Sequence, residues 1–466
     1  MKKPFILTSV KYAAAALLAS STFMACDPVD DLKTSPSPNS SGANAKLAAG
    51  KDYVEDEVLI QFTEGLDEDT KLQIFDKIKG QRLEKILTKL LDKADKKDGL
   101  ELVKIKKGVL EAIAELQGTP GIEFIEPNYI YTHAATASDP YYTNGSLWGM
   151  YGPNTSPANQ YGSNAAAAWA ANVTGSANVY VGIIDEGVQL THPDLSGQVW
   201  TNPRDPADGV DNDGNGYRDD VNGWDFAGNN NSIYDGGTRG SQDDHGTHVA
   251  GTIGGKANNG AGVVGLNWNI KLISAKFLGT NGGTTANAIK AVDYLTNLKR
   301  SGVNIVASNN SWGGGGYSQA LYDAISRANA AGILFIAAAG NSGTNNDTSP
   351  SYPANYNLPN VISVAAIDRN GALASFSQYG ATTVDIGAPG VGVISTTAYN
   401  TYSSYNGTSM ATPHVTGAVA LYASTHPGAS VAQIRNAILS SAVPTASLSG
   451  KTVTGGRLDA FGALSK

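Results

Sequence analysis

The 466-residue chain has one cysteine, Cys26, so no disulfide can form within it. Beyond Cys26 it has no apolar run that approaches the roughly 20 residues a membrane-spanning helix needs. It has no excess of basic charge: 33 Lys and Arg stand against 41 Asp and Glu, for a formal charge of −8. Nor is there a basic stripe outside the N-terminal third, so nucleic acid is excluded as a general partner. Glutamate is nearly missing from the larger part of the chain, where Glu186 is the only one between Ala135 and Lys466. Histidine is scarce too, with six residues in all, which makes a catalytic base traceable by elimination. In abundance are glycine, with 54 residues, and hydrophobic residues, at 41%. That composition and length suit a compact, turn-rich chain of one large domain and a smaller one.

The first 26 residues read as a targeting segment, with Lys2, Lys3 and Lys11 ahead of the apolar, alanine-rich Tyr12–Ala25. Its end, FMAC, resembles the lipobox of bacterial lipoproteins, with Phe23 where that motif usually has Leu. Lipidation of Cys26 stands beside ordinary signal cleavage and an uncleaved anchor. All three imply export, to a secreted or extracellular location, with the precursor membrane-anchored as a lipoprotein in the first case. Residues 27–50, containing TSPSPNSSGANA, read as a flexible linker.

Composition then divides the rest. Residues 51–134 hold 13 Lys or Arg and 18 Asp or Glu, whereas residues 135–466 hold only 15 and 20, and all six Trp. The charged unit is expected to be a small α+β domain. Its strands are Glu57–Phe62, Glu101–Ile105 and Ile122–Tyr131, and its helices Asp69–Ile78, Arg82–Leu91 and Val109–Leu116. The larger unit alternates short apolar runs with helical patterns, which predicts an α/β fold of three layers, a mostly parallel sheet with helices on both faces. The expected strands are Val179–Ile184, Ile270–Phe277, Ile305–Asn309, Ile333–Ala338 and Val361–Ala366. The expected helices are His245–Gly255, Thr285–Lys299, Gln319–Ala331, Met410–Ser424 and Val431–Ser440. Sites in such folds gather at the carboxyl ends of the strands.

Those ends carry polar residues. Val179–Ile184 runs into Asp185, and ILFIAAAGN runs into Asn341. A loop Asp capping the next turn is the plainer reading of the first. His133 lies in the first unit, His192 beside Pro193, His414 behind the start of the helix with Pro413 in its first turn, and His426 before Pro427. That leaves DDHGTHVAGT, with His245 at the mouth of a small-residue helix and His248 one turn inside, packed in the core. H-G-T-H lacks the Glu and the i,i+4 spacing of the zinc-protease motif. Ser409, in NGTSMATPHVTGAVAL, stands where a helix N-terminus presents unpaired N–H groups. On local sequence it is either the cap of that helix or a nucleophile.

The segments GIIDEGVQLTHPDL, DDHGTHVAGTIGG, SNNSWGG, AAAGNSG and YNGTSMATPHVTGAVAL, in this order from about Asp139 to Ala460, resemble the subtilisin-like serine proteases. Asp…His…Ser along the chain is the order of the subtilisin triad. The resemblance implies that Asp185 orients an imidazole, His245 acts as base and then acid, Ser409 attacks the carbonyl, and Asn341 donates to the oxyanion. A serine hydroxyl needs such a base, and the base a partner that fixes its tautomer. The family usually has Ser or Thr after the catalytic Asp. Here Glu186 follows, and alternation along a strand predicts that it faces away from His245.

The resemblance also implies a pocket for the P1 side chain, with Trp312, Gly313 and Gly314 on one wall, Ala338, Ala339 and Gly340 on the other, and Ser351 at its base. Extended substrate would add as a strand to these edges. The segments are uncharged, so a broad preference for apolar or aromatic P1 residues is expected. Two calcium sites are expected, and no cofactor for catalysis. Asp211, Asp213 and Asn215, then Gly216, fit the start of an EF-hand-like loop, with Tyr217 in the ligand set. Asn222 replaces its bidentate Glu, so Asp219 or Asp220 would supply the remaining oxygen. Asp194 and Asn259, with carbonyls of Ala257, Ala261 and Val263, match the family's strong calcium loop. The charged unit resembles the family's inhibitor propeptide, an intramolecular partner cut off between Tyr131 and Asp139 to leave a catalytic domain over 135–466. The whole reads as a secreted, self-processing, monomeric endopeptidase acting on protein or peptide substrates. A subtilase specialised for one processing cleavage and an inactive peptide-binding relative are the alternatives.

Overall fold

The computed structural model describes residues 53–87, 99–129, 135–236 and 243–466. The leader, the linker, Tyr131 and His133 lie outside the described residues. The chain divides into two compact units, Val54–Pro127 and Asn128–Lys466.

The smaller unit is a four-stranded sheet in the order β2-β3-β1-β4, with β1 Tyr53–Phe62, β2 Gln81–Ile86, β3 Leu100–Lys104 and β4 Ile122–Tyr129. Helices α1 (Glu68–Lys77) and α2 (Val109–Leu116) complete an α+β unit. The N-terminus of α1 is set by Asp67, whose carboxylate accepts the Thr70 N–H at 2.8 Å. Val58, Ile60, Phe62, Ile74, Phe75, Val103 and Leu116 form its buried interior.

One expected element is different. Residues 82–86 of the expected helix Arg82–Leu91 are strand, and 88–91 lie outside the described residues. Leu83, Ile86 and Leu87 have helical spacing, but Leu83 and Leu87 are 46% and 49% exposed, so no helical face is buried. The segment instead pairs antiparallel with β3, with Arg82 opposite Val103 and Glu84 opposite Leu102. The Arg82 guanidinium is tied to buried Glu101 on β3 and to Glu68 on α1. A free edge of β3 outweighed local helical periodicity.

The larger unit is built on a nine-stranded sheet in the order β14-β15-β11-β10-β9-β8-β5-β7-β6. The central strands are β5 (Gly175–Asp185), β6 (Gly223–Asp225), β7 (Asn269–Lys276), β8 (Ile305–Asn310), β9 (Leu334–Ala338), β10 (Val361–Ile367) and β11 (Ile386–Pro389). All pairings among them are parallel, and only β14 (Val443–Pro444) runs antiparallel to β15 (Gly456–Arg457). Beside the sheet lies a hairpin of β12 (Val393–Thr397) and β13 (Thr401–Tyr405).

Two hydrophobic cores make the three layers. On one face Val179, Val181 and Ile183 of β5 pack with α3 (Asp244–Gly254) and with the central helix α6 (Thr408–Thr425). On the other face Ile184 packs with α4 (Thr285–Arg300) and α5 (Gln319–Ala330). Helix α7 (Val431–Ser440) adds Ile434, Ala437 and Ile438 to the first core. The period of two along a strand places Asp185 on the same face as Val181 and Ile183, toward α3. The chain leaves β5 to build β7 on one side and then returns to build β8 on the other. The carboxyl end of β5 is therefore a topological switch point, where open α/β sheets form their crevices.

Candidate active site

Asp185 is the last residue of β5 and fully buried, and its Oδ1 lies 2.9 Å from Nδ1 of His245. His245 is the second residue of α3, with its side chain 30% exposed. With Nδ1 committed to Asp185, Nε2 is the nitrogen left to take up a proton. Burial works to lower the proton affinity of the imidazole, but the charge and hydrogen bond of Asp185 and the charge of Glu186 outweigh it, and the net shift is upward. His248, one turn on, is buried, stacks on Tyr405 at 4.6 Å and contacts the Val393 and Ser403 carbonyls. It serves the core.

Ser409 is not the cap of its helix. Gly407 holds that position, Ser409 is the second residue of α6, and Pro413 stands sixth, beyond the first turn. Its backbone N–H lies in the first turn, where helical N–H groups lack partners within the helix. Pro413 has no N–H to offer the Ser409 carbonyl. The Ser311 hydroxyl, at the end of β8, donates to it instead at 2.8 Å, while Ser409 Oγ donates to the Ser311 carbonyl at 3.1 Å. This reciprocal pair fixes the first turn of α6 on the sheet. Nothing in the sequence marks Ser311 for this part except its place in SNNSWGG.

Asn341 follows the end of β9. Its Oδ1 accepts both the N–H and the hydroxyl of Thr408, each at 2.9 Å, which turns the Nδ2 hydrogens toward an incoming oxygen. Thr408 Oγ1 also accepts the Gly340 N–H at 3.2 Å, so the pocket wall and the serine helix are pinned together. A cavity of about 470 Å³ opens beside Ser409 and Asn341, lined by Trp312, Gly313, Gly314, Ala338, Gly340 and Ser351. Gln378, Thr344 and Ser349 also line it, and no charged residue does. Ala339 does not. It follows the end of β9 with its methyl buried, packed with Ala365 and Val384. A side chain at Gly340 would be strained: φ is +114°, and a Cβ there would lie 1.7 Å from Gln378 Oε1 and displace it. A second cavity, of about 420 Å³, shares Trp312, Gly313 and Gly314 and adds Phe277, Leu278 and Leu321.

Glu186 does not face away from His245. The strand ends at Asp185, so alternation no longer applies, and Glu186 Oε1 accepts the backbone N–H of His245 at 2.6 Å. Burial and the neighbouring Asp185 charge hold its carboxyl above the usual range. Below it lies Lys276, the end of β7 and level with both Asp185 and Asp225 in the sheet register. Its ammonium is buried, binds Asp243 at 2.7 Å and Asp235 at 3.1 Å, and donates to the Glu186 carbonyl.

Among the described residues no three His, Cys, Asp or Glu side chains converge as a metal cluster. A cation would have to draw on backbone and amide oxygens as well. In the acidic loop Asp211 accepts the N–H groups of Gly214 and Gly216, Asp213 that of Asn215, and Asn215 that of Tyr217. Tyr217 packs its ring against Trp224, Phe226 and Tyr294. Asp219 accepts the N–H groups of Asp208 and Gly209. Asp220 is buried among Asn202, Asn215 and Tyr294, and burial pushes its carboxyl up to about 6 despite their hydrogen bonds.

At the second site Asp194 accepts from Asn259 Nδ2 at 2.7 Å and from the Val263 N–H at 2.8 Å. Beside it sits Asp139, overlooked in the sequence. It is fully buried, its Oδ2 accepts the Asn258 N–H at 2.9 Å, and its Oδ1 has no hydrogen-bond partner. Burial, with the Asp194 charge adding, raises its carboxyl. A buried, unpartnered carboxylate oxygen near a second carboxylate fits a hard cation.

Residues 176–463 match the family described as "Subtilase family", and residues 39–128 match "Fervidolysin N-terminal prodomain". The chain is 34% identical over 389 residues to the thermophilic serine proteinase of Bacillus sp. (strain AK1), covering 83% of this chain and 82% of that one. It is 40% identical over 271 residues to subtilisin DY of Bacillus licheniformis, covering 57% and 84%. Among solved structures, a protease from Pseudoalteromonas arctica PAMC 21717 superposes with a TM-score of 0.58 at 27% identity, covering 71% of this chain and 99% of that one.

Proposed function

The chain belongs to the subtilase family of serine endopeptidases and carries an N-terminal prodomain, and on that footing we propose that it is a secreted, self-processing enzyme that cleaves peptide bonds through an acyl-enzyme on Ser409. The observation that carries this reading is the 2.9 Å contact of buried Asp185 with His245 Nδ1 at the sheet's switch point, on a helix α3 that packs against α6, whose first turn holds Ser409.

In the mechanism, the Ser409 proton turns from the Ser311 carbonyl to His245 Nε2 as Oγ attacks the scissile carbonyl. Asp185 holds the Nδ1–H tautomer and stabilises the imidazolium. The oxyanion is met by Asn341 Nδ2 and the Ser409 N–H, donors fixed before the reaction begins. The imidazolium then protonates the leaving amine, and water repeats the sequence to release the acid. Uncharged walls around a roomy cavity favour apolar or aromatic P1 side chains. The prodomain acts as an intramolecular inhibitor until it is cut between Tyr131 and Asp139. If Cys26 carries lipid, that cut frees the catalytic unit from the membrane.

Calcium would be held by Asp139, Asp194 and Asn259 at one site, and by the Asp211–Asp220 loop at the other. It would supply structural charge compensation and no chemistry. Ser409→Ala should abolish hydrolysis and leave an unprocessed precursor, and a fluorophosphonate probe should label wild type at Ser409 alone. Maturation of purified Ser409→Ala with no other protease present would sink the assignment.

A further inference from the structure

Helix α3 has an unusual beginning. Asp243 occupies the cap with a left-handed backbone, φ 59°, and makes no cap hydrogen bond from its side chain. Its carboxylate is taken by Lys276 and by the N–H groups of Asp235 and Gly236. The open N–H of His245, in the first turn, is met from outside the helix by Glu186 Oε1 at 2.6 Å. The ring end is held by the preceding residue, because Asp185 Oδ1 accepts both the Glu186 N–H at 2.8 Å and His245 Nδ1–H at 2.9 Å. His245 is thus held at backbone and imidazole by adjacent residues of one strand end.

We propose that Glu186 is a positioning residue of this site: its carboxylate caps the His245 helix from just beyond the end of β5 and places a second negative charge beside the imidazole, setting the pH at which His245 becomes a base. The inference rests on His245 being the general base. It goes beyond that reading in giving one tunable step to a residue outside the triad and the oxyanion hole.

The other groups around His245 add no comparable charge. Asp243 is matched by Lys276 at 2.7 Å, and Asp235 lies 3.1 Å from the same ammonium. Asp244, buried on α3, has its carboxylate bound by the Ala398 N–H of the β12–β13 turn at 2.8 Å. His248 is buried and held neutral, since burial depresses its proton affinity. Ser311 and Ser409, from β8 and α6, carry no charge. Asp185 and Glu186 remain as the charges that hold the imidazolium.

The test separates acceptor from charge. Glu186→Gln keeps an oxygen for the His245 N–H and removes the charge, whereas Glu186→Ala removes both. In Glu186→Gln the acid limb of kcat/KM should move to lower pH by roughly half a unit or more, as expected when a nearby negative charge that stabilises the imidazolium is lost, with the alkaline plateau within about threefold of wild type. In Glu186→Ala the limb should shift as far, and kcat on the plateau should also fall by about tenfold or more at unchanged KM, as for a misplaced base.

Fluorophosphonate titration counts competent sites, so partial unfolding is removed from both numbers. Wild-type limbs in both variants would overturn the proposal while leaving the triad intact. A wild type that neither hydrolyses peptides nor labels at Ser409 would instead overturn the functional reading. In that case the His245 titration, followed by NMR in Ser409→Ala with and without Glu186→Gln, still decides. An unchanged imidazole midpoint there overturns the role of Glu186.

Discussion

Asn341 shows how much depends on one amide being turned the right way. Thr408 occupies its oxygen twice, so the donor faces the cavity without any ligand to orient it. Asn341→Ala should therefore lower kcat by about 10²–10³ with KM little changed, as for a donor used only in the transition state. A loss confined to KM, in initial-rate kinetics on a short peptide, would place Asn341 in ground-state binding. At this scale the sequence was readable where a chemical type stood at an element's end. Asp185 and Asn341 each end an apolar run, and His245 and Ser409 each stand at the head of a small-residue helix. It was unreadable where the role depends on a neighbour from a distant segment. Ser311 matters because Pro413, more than a hundred positions away, leaves a carbonyl free. Asp139 matters because burial strips one of its oxygens of partners. Ala339 sits in the right motif yet points inward.

The elements of the larger unit were legible because parallel strands buried on both faces read as continuous apolar runs. The predicted central strands and helices recur within one or two residues of their bounds, except that β5 begins four residues before its expected start at Val179. The hairpin β12–β13 was missed. Six of the ten residues in VISTT and TYSSY are Ser or Thr, and β12 is buried against α3, whose carbonyls at Thr247 and His248 accept the Thr396 and Ser395 hydroxyls. In the smaller unit, helical spacing misled at residues 82–86 because pairing with β3 was invisible in the sequence. The acidic loop is a prediction at this scale. Its carboxylates now satisfy their own backbone, and a cation that binds only the folded state would add roughly 2.7 kcal/mol at a hundredfold excess over Kd. In a Ser409→Ala background, which cannot digest itself, a chelator should lower the melting temperature. Asp211→Ala/Asp213→Ala should lose part of that response and retain the share of the Asp139/Asp194 site. Equal calcium stabilisation with and without the double substitution would make the loop a solvated turn.

For the molecule as a whole, acid should be harmful through its buried imidazoles. Burial depresses the proton affinity of His248 to about 3 and of His414 to about 4, from an ordinary 6.5. The unfolded chain binds these protons first, so the stability they contribute is complete above pH 6.5 and is lost as pH falls toward the folded values. Each imidazole costs about 1.4 kcal/mol per pH unit over that window. His245, shifted upward, works oppositely: its share is complete below pH 6.5 and fades as pH rises through its folded value. His414→Met, compared with its parent in the Ser409→Ala background by denaturant melts at pH 6.5 and 5, should lose stability less steeply by about that amount per unit. Parallel slopes would mean that His414 is protonated in the native state. Helix α6 has a further consequence. It packs against β5, β8, β9, β10, β11 and α3 at once, so no end of it can peel away while the sheet survives. An enzyme that lives among copies of itself is cut in its interior only as often as it opens outright. Its lifetime in a crowded digest is then a clock set by the barrier to global opening, and not by the depth of its free-energy well.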